Sequence, residues 1–68
     1  MEFNIGDLLV SSQTSTTILL TGKDQYNYNF KILMIRNGIV NSELSYRSSD
    51  LKLLTQQPYN YIHCPVKE

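Results

Sequence analysis

The chain of 68 residues is long enough for one small domain with a single hydrophobic core. Six basic and six acidic residues give a formal net charge of zero without a run of either sign, which argues against a general nucleic-acid or membrane-surface binder. The longest apolar runs are far too short to span a bilayer, and residues 1–7 lack the basic and then apolar pattern of a secretory signal peptide.

The first predicted strand, Leu8–Ser12, follows a turn at Gly6-Asp7. Successive side chains of a strand point to opposite faces, and this alternation is taken to place Leu8 and Val10 in the core. Leu9 then lies on the outer side of the sheet. The carboxylate next to the glycine is interpreted as a turn residue.

A polar segment, Gln13–Thr16, separates the first strand from a second one predicted at Thr17–Thr21. In this second strand Ile18 and Leu20 alternate with Leu19. The first two are therefore predicted to face the core, and Leu19 is predicted to face outward.

The third and fourth strands are predicted as one hairpin over Tyr28–Tyr46, because Asn37-Gly38 between two apolar runs is the strongest short-range hairpin signal. A two-residue turn would split the apolar residues of the two strands between opposite faces. A three-residue turn at Arg36-Asn37-Gly38 with a G1 bulge would place them on one face. We therefore predict the bulged three-residue turn, which leaves Leu33 and Ile35 on the outer face. The shared inner face would then hold Phe30, Ile32, Met34, Val40, Leu44 and Tyr46.

A fifth strand is predicted at Leu51–Leu54, with Leu51 and Leu53 inward, after a polar segment whose side chains could cap a single helical turn. Proline and glutamine residues then interrupt regular structure. The sequence is accordingly divided into a β-barrel domain at residues 1–55 and an extended C-terminal tail at residues 56–68.

Five short strands separated by turns are typical of a small barrel or sandwich, and the barrel is favoured because it leaves no exposed sheet edge. The segment IGDLLVSS (Ile5–Ser12) resembles the opening strand of small SH3-like barrels, and SSDLKLL (Ser48–Leu54) resembles their closing element. Such barrels are common among short proteins of tailed bacteriophages, and the resemblance covers Phe3–Leu54. It implies an all-β, five-stranded SH3-like barrel that serves as a non-enzymatic structural or adaptor protein of the capsid, neck or tail of a virion. No functional residue follows from it, because such barrels share a fold rather than a site.

The sequence carries no recognisable catalytic, metal-binding or cofactor-binding motif. His63-Cys64 joins two good metal ligands, but neighbouring residues of an extended segment point to opposite sides. Cys64 is therefore expected to pack and His63 to be solvated. The carboxylates are scattered over turns and termini, which does not favour paired acid–base chemistry. The expectation is a protein without enzymatic activity, cofactor or metal.

Aromatic and basic residues near the hairpin offer an alternative function. Aromatic side chains beside cations stack on and clamp single-stranded nucleic acid. The candidates for a nucleic-acid-binding barrel are Tyr26, Tyr28, Tyr46, Arg36 and Arg47. The competing interpretation, favoured by the neutral net charge, is that the aromatic residues form the barrel core or its rim. A further alternative is a phage-encoded inhibitor of a host protein.

Two groups of residues are the candidates for binding a protein partner. Apolar strand residues left outside the core normally mark a contact surface, and a tail rich in tyrosine and proline either lies along a partner or folds back over its own barrel. The candidates are Leu9, Leu19, Leu33 and Ile35 in the strands and Tyr59, Tyr61 and Ile62 in the tail. The expected partners are other virion or assembly subunits, including copies of the chain itself, with neither nucleic acid nor membrane. The expected location is the virion or the host cytoplasm, and the lone cysteine fits a reducing compartment.

Overall fold

The computed structural model describes residues 2–67, without the side chain of Glu43, so residues 1 and 68 of the predicted domain and tail lie outside it. The chain forms one antiparallel sheet in the order β4-β3-β2-β1-β5, with a short helix, α1, between β4 and β5. This confirms the predicted small all-β fold. The elements are β1 Leu8–Ser11, β2 Thr16–Lys23, β3 Phe30–Arg36, β4 Ile39–Tyr46, α1 Ser48–Leu54 and β5 Ile62–Cys64.

The sheet is not closed, because β4 and β5 form its two edges and do not pair with each other within residues 2–67. The predicted closed barrel is therefore not confirmed. The predicted extended tail is not confirmed either, since residues 56–68 contain β5, which pairs antiparallel with β1 and sets Leu9 opposite His63. Of the two arrangements considered for this segment, the chain folds back onto its own sheet.

Strand β1 has the opposite phase to the one predicted. Asp7, Leu9 and Ser11 are buried, whereas Leu8 is 36% exposed, so the assignment of Leu8 and Val10 to the core is wrong. Three consecutive apolar residues fit either phase of a strand equally well. The phase is set instead by Asp7, whose side chain is held inside the molecule by hydrogen bonds to residues near β5.

The hairpin between β3 and β4 turns through two residues, and the predicted three-residue turn is wrong. Asn37 and Gly38 have φ values of 51° and 79°, and Ile35 lies opposite Val40. Positive φ at both central residues is the signature of a type I′ turn, which Asn-Gly favours because its twist matches that of the flanking strands.

A bulge in the middle of β4 brings apolar residues of β3 and β4 onto one face, which was the effect expected of a bulged turn. Between the pairs Met34–Asn41 and Ile32–Leu44, β4 holds one residue more than β3. The extra residue shifts the register, so Phe30 lies opposite Tyr46 and these apolar residues share the inner face. On the turn side of the bulge, Ile35 lies on the outer face as predicted, and Val40 lies opposite it, so the prediction that Val40 shares the inner face is wrong.

Residues Ser48–Leu54 form helix α1, so the predicted fifth strand at Leu51–Leu54 is wrong. The backbone N–H of Arg47 donates to Asp50 Oδ2 at 3.2 Å, which caps the first turn. A hydrogen bond from the Arg47 side chain lowers the pKa of Asp50. Leu51 is buried while Leu53 is 55% exposed, because on a helix it is Leu54, three residues on, that shares the face of Leu51.

The hydrophobic core lies between the inner face of the sheet, α1 and the segment that precedes β5. Ile18 and Leu20 of β2 are fully buried, which confirms the predicted phase of that strand. Around the core, partly buried residues from β3, β4 and α1 complete the packing. The buried core residues are Phe3, Leu9, Ile18, Leu20, Phe30, Ile32, Leu51 and Tyr61.

The type I′ turn predicts a specific response to alanine. Gly38→Ala is expected to lower the free energy of unfolding by about 1 kcal/mol, because a φ of +79° disfavours a Cβ although nothing lies within 4 Å of it. Gly22→Ala is the matched control, since Gly22 lacks a positive φ and a Cβ there would meet only Lys31 Cδ at 4.0 Å. Urea denaturation measures both, and equal stabilities of the two variants would contradict the turn assignment.

Candidate functional site

The outer face of the sheet carries two rows of side chains that cross the strands. Residues directly opposite each other in neighbouring strands share a face, so each row follows from the register of the pairs. The first row runs across all five strands as Ile62, Val10, Thr17, Ile35 and Val40. The second runs across four strands as Cys64, Leu8, Leu19 and Leu33. These nine residues are called the outer face below.

The outer face is largely apolar, uncharged and accessible. Ile62 is 65% exposed, Val40 57% and Ile35 38%, and the half-buried members are Val10, Thr17, Leu19 and Leu33. None of the nine is an acidic or basic residue. The most exposed members lie on the edge strands, so the surface is open at both ends of each row.

The structure brings four of the seven predicted partner-binding residues together on the outer face: Leu19, Leu33, Ile35 and Ile62. Leu9 and Tyr61 are buried in the core, so their assignment to an exposed surface is wrong. Tyr59 is 52% exposed but precedes β5 and lies beside Tyr46 and Leu54, away from the outer face. Leu8 and Val10 take the positions expected of Leu9, because the phase of β1 is inverted.

A buried carboxylate holds the β5 end of the outer face in place. His63 Nε2 donates to Asp7 Oδ2 at 2.7 Å, and the backbone N–H of Val66 donates to Asp7 Oδ1 at 2.9 Å. The backbone N–H of Asn4 donates to Asp7 Oδ2 at 3.0 Å. One side chain thereby joins the segment before β1 to β5 and to the segment after it. Ile62 reaches the outer face because its neighbour His63 is anchored to this carboxylate.

The hydrogen bonds keep Asp7 ionised inside the protein. The side chain of Asp7 is fully buried and that of His63 is only 7% exposed. Burial raises the pKa of Asp7, but hydrogen bonds from Val66, Asn4 and His63 lower it by more, so the pKa lies below the ordinary value of 3.8. The prediction that His63 is solvated is wrong. Asp7 does receive a turn-type hydrogen bond from Asn4, as the interpretation of a turn residue implied, but it also binds residues far along the chain.

Close packing surrounds the hydrogen bond between His63 and Asp7. The rings of Phe3 and His63 lie 4.7 Å apart between centroids, with an angle of 45° between their planes. A Cβ added at Gly6 would meet Val66 Cγ2 at 3.3 Å, and the φ of Gly6 is +99°. Glycine is therefore required at this position both for the backbone conformation and for the approach of Val66.

His63 and Cys64 do not form a joint site. His63 lies opposite Leu9 on the inner face, whereas Cys64 lies opposite Leu8 on the outer face and is exposed. Within residues 2–67, no group of three or more His, Cys, Asp and Glu side chains is arranged to hold a metal ion. Over the same residues, the single helix is too short for a membrane span.

The residues predicted to bind nucleic acid lie in three separate places. Tyr26 and Tyr28, 92% and 73% exposed, project from the turn between β2 and β3. Arg47 pairs with Asp50 at the start of α1. Tyr46 and Arg36 line a cavity on the other side of the sheet from the outer face.

The comparisons with known proteins identify no relative from which the role of the outer face could be inferred. No protein-family model matches the sequence, and searches of curated proteins and of solved structures find no significant similarity.

The contacts of Asp7 predict an acid-dependent loss of stability. Asp7→Asn is expected to lower the free energy of unfolding at neutral pH by about 3 kcal/mol, because the neutral amide cannot replace the charged acceptor of three hydrogen bonds. The folded-state pKa of Asp7 is lowered, so its stabilising effect is complete above pH 3.8 and is lost as the pH falls through that lowered value. In urea denaturation, the difference between the wild type and Asp7→Asn should therefore shrink in strong acid.

Asp50→Asn is the matched control for this experiment. Asp50 also has a lowered pKa, but its contacts to Arg47 lie at the protein surface, where such interactions contribute little. If the two variants were equally stable at neutral pH, the buried contacts of Asp7 would not be a main source of stability.

Proposed function

We propose that this protein is a small non-enzymatic assembly subunit, and that its outer face binds the outer face of a second copy of the chain. The observation that carries the proposal is the largely apolar surface, with Thr17 as its one hydroxyl residue, that crosses the sheet from one edge strand to the other. Contiguous exposed apolar patches are uncommon on small soluble proteins and usually mark a contact surface.

The absence of charge on the outer face favours a second copy as the partner. A symmetric dimer places the same patch of both subunits in contact, so any charge near the symmetry axis would meet its own like charge. The nine residues of the outer face bring no such repulsion, and Lys31, on the same side of β3, lies beyond the second row at the end away from the turn. Two sheets pack face to face about 10 Å apart, and each exposed aliphatic side chain that becomes fully buried contributes up to about 1.5–3 kcal/mol.

The same features weigh against nucleic acid as the partner. Single-stranded nucleic acid needs aromatic platforms and cations along one groove. The outer face has neither an aromatic nor a basic residue, and the five candidates for that role lie at separate places. The alternative of a host-protein inhibitor would use the outer face as well, but with a different protein in the place of the second copy.

The relation to SH3-like barrels forms a further part of the proposal. Successive hairpins that end with the last strand beside the first, in the order β4-β3-β2-β1-β5, are what such a barrel would show if it were opened between β4 and β5. The helix before β5 occupies the place of the closing turn in the resemblance. The setting in a tailed-phage virion rests on the sequence resemblance alone.

Val40→Lys tests the outer face as a dimer contact. Sedimentation velocity over a range of protein concentrations is expected to show a monomer–dimer equilibrium for the wild type. Val40→Lys should weaken dimerisation at least tenfold, because it places two like charges in an apolar contact. Circular dichroism of each variant checks that the fold is retained.

Leu53→Lys is the matched control, since Leu53 on α1 is 55% exposed and Val40 is 57% exposed. It should leave dimerisation unchanged. A wild type that stays monomeric to about 1 mM would exclude the second copy as the partner. Equal weakening by the two lysine substitutions would exclude the outer face as the contact.

A further inference from the structure

A cavity of about 290 Å³ lies between the inner face of the sheet and the segment that links α1 to β5. It is separate from the outer face and independent of the function proposed for that surface. One part of its lining is polar and comes from the ends of β1 and β3 and from the turn after β1, including Ser11, Thr14 and Arg36. The other part is aromatic and comes from Tyr46, Tyr59 and Tyr61.

In the polar part of the lining, hydrogen bonds hold the guanidinium of Arg36 in position before a ligand binds. Arg36 Nε donates to Thr16 Oγ1 at 3.0 Å, and Thr16 is fully buried. Thr14 Oγ1 lies 2.8 Å from Thr16 Oγ1 and donates to Ser11 Oγ at 3.2 Å. This chain of hydroxyl groups holds the Nε edge of Arg36 in one place. The bond to Thr16 uses Nε and leaves the two Nη groups for a ligand, because Arg36 takes part in no ion pair with a described residue.

The positive charge of Arg36 in the cavity favours a negatively charged ligand. Among the described residues that line it, Arg36 is the one ionised side chain and none is a carboxylate. A guanidinium presents two parallel N–H donors that match the two oxygens of a carboxylate. A single positive charge balances a monoanion, whereas a phosphate dianion would keep an excess negative charge in a partly enclosed site.

The rest of the lining determines what is attached to the carboxylate. The three tyrosines, together with Leu54 and Pro58, form an apolar wall, and Ile18 and Met34 of the inner face lie beneath it. Aromatic walls hold flat or branched apolar groups by burial and by ring contacts. A volume of about 290 Å³ is at the lower end of the range for small-molecule sites, which suits a group the size of one amino acid.

We propose that this cavity binds a small apolar monocarboxylate of aromatic or branched aliphatic type, with the carboxylate on Arg36 and the apolar group against the tyrosines. The same chemistry is offered by a free acid and by the C-terminal residue of a peptide. In the peptide case, the preceding residues leave through the open side of the cavity.

Titration of ¹⁵N-labelled full-length protein with N-acetyl-phenylalanine tests the proposal by NMR. Saturable shift changes are expected at the amides of Thr14, Thr16 and Tyr61. N-acetyl-phenylalanine amide, which lacks the negative charge, should bind at least tenfold more weakly. A tetrapeptide ending in phenylalanine and its C-terminal amide form the second pair. Tighter binding of the tetrapeptide acid than of N-acetyl-phenylalanine would identify a peptide terminus as the source, and the reverse order a free acid.

Two variants locate the ligand. Arg36→Gln should weaken binding of N-acetyl-phenylalanine at least tenfold and remove the preference for acid over amide. Tyr59→Ala should weaken binding of the acid and the amide alike, because it removes part of the apolar wall and leaves the charge. Lys31→Gln, which removes a positive charge from the same strand outside the cavity, is the matched control and should change neither. The amide spectrum of each variant shows whether it is folded.

Three results would overturn the proposal. The first is the absence of saturable shifts up to about 10 mM acid. The second is equal binding of the acid and its amide, which would mean that Arg36 does not bind the carboxylate of the ligand. The third is tighter binding of uridine monophosphate than of N-acetyl-phenylalanine, which would assign the cavity to nucleotides instead.

Discussion

The fold depends on one buried carboxylate. Leaving an ionised group inside a protein costs several kcal/mol unless strong hydrogen bonds replace its water. Asp7 obtains them from three donors, and the lowered pKa shows that they outweigh the cost of burial. Two of those donors, His63 and the N–H of Val66, belong to the part of the chain around β5. Burying Asp7 and adding β5 to the sheet are therefore one event, and the inward phase of β1 follows from it. With one cysteine the sequence offers no internal disulfide, so the hydrogen bonds of Asp7 to His63 and Val66 serve as the long-range tie.

Those parts of the fold that local sequence decides could be predicted. The alternation in β2 placed Ile18 and Leu20 correctly, because a single apolar phase is present there. The hairpin was correctly located at Asn37-Gly38, since few other dipeptides tolerate positive φ at both positions, although the three-residue length predicted for the turn was wrong. The outward positions of Leu19, Leu33 and Ile35 followed from the same alternation.

What the sequence could not settle was decided by residues far away or by two patterns that compete. The run Leu8–Val10 fits either phase, and the deciding partners of Asp7 come 56 and 59 residues later. In Leu51–Leu54, strand spacing and helix spacing are both present, and the residues that pack in the core are Leu51 and Leu54, which have helix spacing. The shared face of Phe30, Ile32, Leu44 and Tyr46 was foreseen, and a bulge in the turn or in the strand would produce it equally, but the strand bulge leaves Val40 outside. The cluster of hydroxyl groups and guanidinium around Thr16 could not be predicted, because Arg36 lies on another strand, 20 residues from Thr16.

The position of β5 beside β1 also has a consequence for the way the chain emerges during synthesis. The three hairpins that join β1 to β4 can form as soon as each is made, since their partners are close in sequence. Asp7 must keep its hydration shell until His63 and Val66 follow, and until then the free edge of β1 is open to any other strand. A nascent chain is thus most exposed to mispairing in the interval between completion of β4 and arrival of β5. Residues 47–61, which include α1, set the length of that interval.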